Sequence, residues 1–302
     1  MPNYTLPDGF TVKNKLGAYS HDELEKLEGN FVFFRIAELT AGKGPTGQFD
    51  AAHLKAIHGH IFQDVFEWAG HTRDEKIRLS DGTIASEPQL MKIGGRPFIP
   101  GSEINHALDR FSEAIRQDYH LRGLPRLEFA SKAADLLVTL NEIHPFREGN
   151  GRTQRLFLKE LADGAGHMLD FSVVTKERMI QASIAAHEQG DNGMMRRMFD
   201  EISNPHRVAA LRPALEAMTR HNFPWNENYV ATMEPGHSVP AMMAGVAGDH
   251  FMARSAHAVL IGQAHDLPSP IPRLGQEFQA TASEWPTPES NPRATNRPGL
   301  SQ

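Results

Sequence analysis

The residues of this chain best suited to chemistry lie in one run: His144-Pro145-Phe146-Arg147-Glu148-Gly149-Asn150-Gly151-Arg152-Thr153-Gln154-Arg155. An imidazole titrates near pH ~6.5, so its neutral form can take a proton at working pH, and His144 is the candidate general base. Gly149 and Gly151 let the backbone approach an anion closely. Arg152 and Arg155 stand three positions apart and project from one helical face. Their guanidinium groups match phosphate oxygens in pairs, which a lysine cannot do. Glu148 offers the hard carboxylate oxygen that Mg²⁺ prefers beside phosphates. Together these groups could hold a metal-bound polyphosphate beside a hydroxyl whose proton His144 removes, freeing the oxygen to attack phosphorus.

Two helices must present this run. From Leu127 to Ile143, apolar residues recur at helical spacing, with Leu127, Ala130, Ala134, Leu137, Leu140 and His144 near one face. Pro145 disfavours helical geometry in the residue before it, so that helix is predicted to stop near His144. A second helix is predicted from about Asn150 through Leu156, Phe157, Leu158 and Leu161. Gly149-Asn150-Gly151 then opens a helix, where unpaired N–H groups and the macrodipole favour an anion. Each residue taken singly has an ordinary structural role as a cap, a turn or a solvated face. Order and spacing make them one site.

The run resembles the signature of Fic (fido) domain proteins, histidine-x-phenylalanine-x-acid-glycine-asparagine-glycine-arginine-x-x-arginine, at every position. The resemblance implies transfer of AMP from ATP to a hydroxyl side chain of a target protein, with release of pyrophosphate. It implies that His144 is the base and that Glu148 binds the Mg²⁺ bridging the α- and β-phosphates. Gly149, Asn150 and Gly151 would form the anion hole, Arg152 and Arg155 would hold the β- and γ-phosphates, and Phe146 would be a buried anchor.

Phe62-Gln63-Asp64-Val65-Phe66-Glu67-Trp68-Ala69-Gly70, followed by Thr72-Arg73, is similar to the family's upstream helix and exit turn. Residues 77–98 read as its flap, with Asp81-Gly82 and Gly94-Gly95 as breaks between short β-branched segments. In the family the flap pairs with an extended stretch of the target, a form of β-augmentation. Lys92 and Ile93 are the candidate flap contacts. The chain most resembles the Bep effectors, Fic proteins delivered into host cells by type IV secretion, over roughly residues 10–282. That implies a bacterial cytoplasmic origin with delivery into a host cell. A different transferred group (uridylyl, phosphocholine or phosphoryl) and a catalytically silent binding module are the alternatives.

With 302 residues, 40% hydrophobic and 23% charged, the chain has room for two domains of ordinary globular composition. A net charge of −6 without a basic block argues against a nucleic-acid or anionic-membrane partner. No apolar run approaches membrane-spanning length, Met1-Pro2-Asn3-Tyr4 opens no secretory signal, and the absence of cysteine excludes disulfide and thiolate chemistry. His53, His58 and His60 do not converge on one helical face and are read as surface or core residues.

The expected fold is mainly α, a Fic domain over 1–222 with its core at 20–205 and the flap at about 77–98. Ser20 and Glu23 form a capping box before a helix whose core stripe is expected at Leu24, Leu27, Phe31, Phe34 and Leu39. Further helices are predicted over Phe49–Trp68, from Ser102 with core residues Ile104, Leu108, Phe111 and Ile115, over Thr175–Glu188 and Gly193–Ile202, and after Pro205. Alternating runs broken by glycine and proline then predict a small β module at 223–283, OB-like by its position after a Fic core, with a packing or spacer role. The proline-rich stretch 284–302 reads as a disordered tail or linker.

Many Fic proteins carry an inhibitory glutamate in a motif of serine or threonine, three residues, glutamate, then glycine or asparagine. Here Glu28, Glu148 and Glu227 precede glycine or asparagine, but Leu24, His144 and Phe223 stand four positions before them. The expectation is therefore a separate small antitoxin chain that supplies the glutamate near Arg155.

Overall fold

The computed structural model describes residues 4–91 and 97–288. Contacts divide the chain into two units, Met1–Arg122 with Leu136–Gly164, and Gly123–Asp135 with Ala165–Gln302. The first unit carries the signature run.

Helix α1, His21–Glu38, starts where the sequence says it should. Ser20 accepts the N–H of Glu23, and the Glu23 carboxylate accepts the N–H of Tyr19 at 3.0 Å, one residue outside the usual capping-box partner. Its buried face differs from expectation. Leu24, Glu28 and Val32 turn inward, while Phe31 and Phe34 are 41% and 67% exposed. The rotation places a carboxylate inside, and a buried carboxylate needs a cation beside it. Arg152 supplies that cation.

Helix α2, Ala51–Phe62, is capped by Asp50 and buries Leu54, Ile57, His58, Ile61 and Phe62. It ends at Phe62 instead of continuing to Trp68. Turns over the next residues let Phe66 and Trp68 stack at 4.3 Å and enter the core, which a straight helix would have carried apart. The flap hairpin is shorter than the span 77–98. It consists of antiparallel β1, Ile77–Arg78, and β2, Ile84–Ala85, with an isolated bridge between Met91 and Pro97. Lys92 and Ile93 lie outside the described residues. Helix α3, Gly101–Gln117, buries the expected Ile104, Leu108, Phe111 and Ile115.

Helix α4, Arg126–Ile143, gives its residues up to Asp135 to the second unit and the remainder to the first. Ala130, Ala134, Leu137 and Leu140 are buried as expected, but Leu127, on its first turn, is 61% exposed. Helix α5, Asn150–Ala165, begins after the break at Pro145 and buries Phe157, Leu158 and Leu161.

The second unit continues with α6 (Lys176–Gln189), α7 (Gly193–Ile202) and α8 (Pro205–Arg220). The fully buried Glu201 of α7 receives Arg178 and Arg207, and its other bonds go to Thr232. The β module is a five-stranded sheet of β3 (Val230–Thr232), β4 (Ser238–Ala247), β5 (His250–Arg254), β6 (Val259–Gln263) and β7 (Glu277–Thr281). Their order is β3-β6-β5-β4-β7, with β3 parallel to β6 and the other pairs antiparallel. Phe251, Met233 and Met243 centre its core. The expected tail starts on this module, because the Trp285 indole is buried and donates to the Met233 carbonyl at 2.9 Å. Residues 289–302 lie outside the described residues. No described helix is long and apolar enough to cross a membrane.

Candidate active site

The loop from α4 to α5 begins on an unusual backbone. His144 has φ of 45°, a left-handed conformation that costs a non-glycine residue roughly 1–2 kcal/mol. Neighbours hold it there. Its N–H donates to Leu140, and its carbonyl accepts Arg73 Nε–H at 2.9 Å. Its imidazole lies flat on the Phe98 ring, with centroids 3.9 Å apart and an interplanar angle of 11°.

Phe146 is the buried side chain of the loop and stacks on His58 at 3.9 Å and 11°. Asn150 closes the turn. Its side chain accepts the Phe146 N–H at 3.0 Å and donates to the Phe146 carbonyl at 2.8 Å, so its amide is used within the loop. Thr153 donates its N–H and hydroxyl to the Gly149 carbonyl, and Gln154 donates to Leu140 at the end of α4. Gly149 has φ of 81°, and a methyl group there would strike the Phe62 ring. Glycine is required at this position on both counts.

His144, Arg147, Glu148, Gly149, Asn150, Gly151, Arg152 and Arg155 line one cleft of about 220 Å³. Every residue expected in the catalytic, metal and nucleotide sets is among them. The cations are not equivalent. Arg147 pairs with Glu87 of the flap base. Arg152 pairs with Glu28, lies 3.9 Å from Glu148, and rests 4.7 Å from the Phe62 ring centroid. Arg155 has no acidic partner among the described residues. Burial, with the nearby Arg152 charge, holds its guanidinium below the usual arginine range. That leaves Arg155 as the cation most in need of an anion.

Glu148 is half-exposed and accepts the Gly149 N–H at 3.1 Å. Among the described residues, no group of three histidine or acidic side chains could hold a metal by itself. A lone carboxylate beside a phosphate cradle fits Mg²⁺, which completes its shell with phosphate and water oxygens.

Three residues of the site escape the sequence reading. His58 is fully buried behind the loop. Its Nδ1 accepts the Gly70 N–H at 2.8 Å, so Nε2 carries the proton and donates to the Glu148 carbonyl at 3.1 Å. Burial pushes its pKa down to about 3, which keeps it neutral at working pH. Glu28, buried on α1, has its carboxyl pushed up by burial while the Arg152 cation pulls it back. Its signal was available, since Leu24-Glu28-Val32 places a carboxylate at core spacing. Arg73 is the third: it is completely buried, and nothing in Thr72-Arg73-Asp74 announces its partners.

Residues 48–162 match the Fic/DOC family. The chain is 37% identical over 268 residues to a protein named protein adenylyltransferase from Bartonella henselae, covering 88% of this chain and 49% of that protein. It therefore spans about half the length of that curated relative. The solved structure of the type IV secretion system effector protein BepA is 34% identical, with a TM-score of 0.87 over 93% of this chain and 96% of that one. The BepC structure from Bartonella tribocorum, with bound AMPPNP, is 38% identical, with a TM-score of 0.65 over 67% of this chain and 97% of that one. Motif, fold and relatives agree, and this chain is a member of the Fic/DOC family.

Proposed function

We propose that this chain is a protein adenylyltransferase that moves AMP from ATP to a serine, threonine or tyrosine hydroxyl of a target protein. The observation that carries this reading is the meeting of the His144 imidazole, the α5 N-terminus, Arg152 and Arg155 in one cleft. His144 takes the hydroxyl proton, and the freed oxygen attacks the α-phosphorus. The bond from that phosphorus to the oxygen bridging to the β-phosphorus breaks, and pyrophosphate leaves with the electron pair. The N-terminus of α5, with the Gly149 N–H released from the Glu148 carboxylate, would bind the α-phosphate through Gly149, Asn150 and Gly151, while Arg152 and Arg155 would hold the β- and γ-phosphates. Mg²⁺, held by Glu148, would offset the charge between the α- and β-phosphates.

AMPPNP in the BepC structure supports a nucleotide co-substrate. The flap, including Lys92 and Ile93, is assigned to pairing with an extended target segment. We assign transfer to residues 1–222 and a spacer role to the module at 223–283. Similarity to the type IV secretion system effector protein BepA supports delivery into a host cell by type IV secretion. Arg152 already has one ion pair, to Glu28, whereas Arg155 has no acidic partner among the described residues, which supports a separate antitoxin chain as the regulator.

The deciding experiment labels lysate with α-³²P-ATP and γ-³²P-ATP in parallel, for wild type and His144→Ala. Label from the α position alone, abolished by the substitution, is the expected result. Label from the γ position would make the chain a kinase and sink the reading.

A further inference from the structure

The Arg73 guanidinium is buried in the first unit, yet it meets main-chain carbonyls instead of a carboxylate. Nε–H donates to His144 at 2.9 Å. One Nη donates to Pro88 at 2.7 Å and more weakly to Glu87 at 3.4 Å, and the other donates to Ile99 at 2.5 Å. Pro88 follows β2 and Ile99 precedes α3, both at the base of the flap. One rigid fork therefore joins these two positions and grips the carbonyl of the candidate base.

The main chain repeats the pattern. Arg73 N–H donates to Pro145 at 2.8 Å, and its carbonyl accepts Glu87 N–H at 2.7 Å. Ile99 N–H reaches Glu142, Gly101 N–H reaches Pro88, and the Phe98 ring lies on His144. Burial pulls this guanidinium below its usual range, and the nearby carboxylates of Asp74 and Glu87 offset that only in part. A hydrophobic residue could fill the volume of the buried Arg73 side chain, but none could donate to three carbonyls converging from separate segments.

We propose that Arg73 is a positioning residue that sets the register of the flap against His144, so that a hydroxyl presented on the flap arrives within reach of the base. The phosphate cradle does not depend on it, because Gly149–Arg155 is fastened separately through His58, Asn150, Thr153 and Gln154. The proposal rests on the adenylyltransferase reading for its consequence, though not for its geometry. Lysine at 73 keeps the charge and loses the fork, so it cannot span His144, Pro88 and Ile99 together.

The test uses the full chain with Arg73→Lys. Hydrogen–deuterium exchange is expected to rise about tenfold together in peptides covering 84–91, 97–101 and 142–147, and to change less than about twofold in 149–157. Binding of Mg-ATP, by calorimetry, is expected to stay within about twofold, while transfer of label from α-³²P-ATP to the lysate target falls at least tenfold. Unchanged exchange in the three segments, or ATP affinity falling in step with transfer, overturns the proposal. If wild type transfers no label, the adenylyltransferase reading has failed and the exchange result still decides the coupling. If Arg73→Lys does not fold, exchange of the wild type in low urea replaces it. The three segments must then open as one unit distinct from 149–157, and opening of the flap segments without 142–147 overturns the proposal.

Discussion

The phosphate cradle and the flap flank the same histidine and are built in different ways. The cradle is fastened by side chains that point inward: Asn150 holds Phe146 by both of its main-chain groups, His58 stacks on Phe146 and holds Glu148, and Gln154 ties α5 back to α4. The flap has strands of two residues each, and its tip is held from outside, by Lys13 on Asp81 and Thr83 and by Glu67 on Ser80. Bonds among exposed groups contribute little and open readily, whereas buried and satisfied ones do not. A rigid cradle suits the single nucleotide proposed for it. A flap tied mainly at its base, with a weakly held tip, suits an extended partner that must add its own main-chain bonds.

Substitutions should separate the two regions. His144→Ala should remove about 10³-fold of the transfer rate and leave Mg-ATP affinity nearly unchanged, because a general base acts in the transition state. Equal loss of ATP binding, seen by calorimetry, would mean that His144 belongs to the cradle. Gly149→Ala should destabilise the protein by about 3 kcal/mol, combining left-handed strain with a collision against Phe62, and urea melts read this directly.

His58→Gln should change the pH dependence of stability. Because the folded pKa is depressed to about 3, unfolded chains bind an extra proton between there and pH ~6.5. The stability contributed by neutral His58 is thus present above pH ~6.5 and lost as pH falls toward 3, with a slope of up to about 1.4 kcal/mol per pH unit. Urea melts at pH 7 and pH 5 should show this slope in wild type and a smaller one in the variant, and equal slopes would refute the assignment. Lys13→Ala, at the flap tip, should cost under about 1 kcal/mol, since Asp81 is half-exposed and the pair is screened. A larger loss in the same melts would show the tip to be as firmly built as the cradle.

Local rules carried the expectation furthest where covalent neighbours decide the outcome. Pro145 ended α4, Ser20 with Glu23 opened α1, and the spacing of Ile104, Leu108, Phe111 and Ile115 marked the inner face of α3. They failed where a distant partner decides. The spacing of Phe31 and Phe34 looked like a core stripe, but α1 turns Glu28 inward to meet Arg152 more than a hundred residues away. Helix α2 stops at Phe62 because Phe66 and Trp68 stack on each other in the core.

From the sequence alone, the order and spacing of His144 through Arg155 set the chemistry proposed for the site, since residue types, a proline that ends one helix and the start of the next suffice to bring the candidate base, acid and anion cradle together. The tertiary structure decided how those groups are held. It put a neutral imidazole behind Glu148, a carboxylate on Arg152, and one guanidinium across three carbonyls at the base of the flap. Such contacts join segments far apart in the chain, and a buried polar group is satisfied by whichever segment folding brings to it.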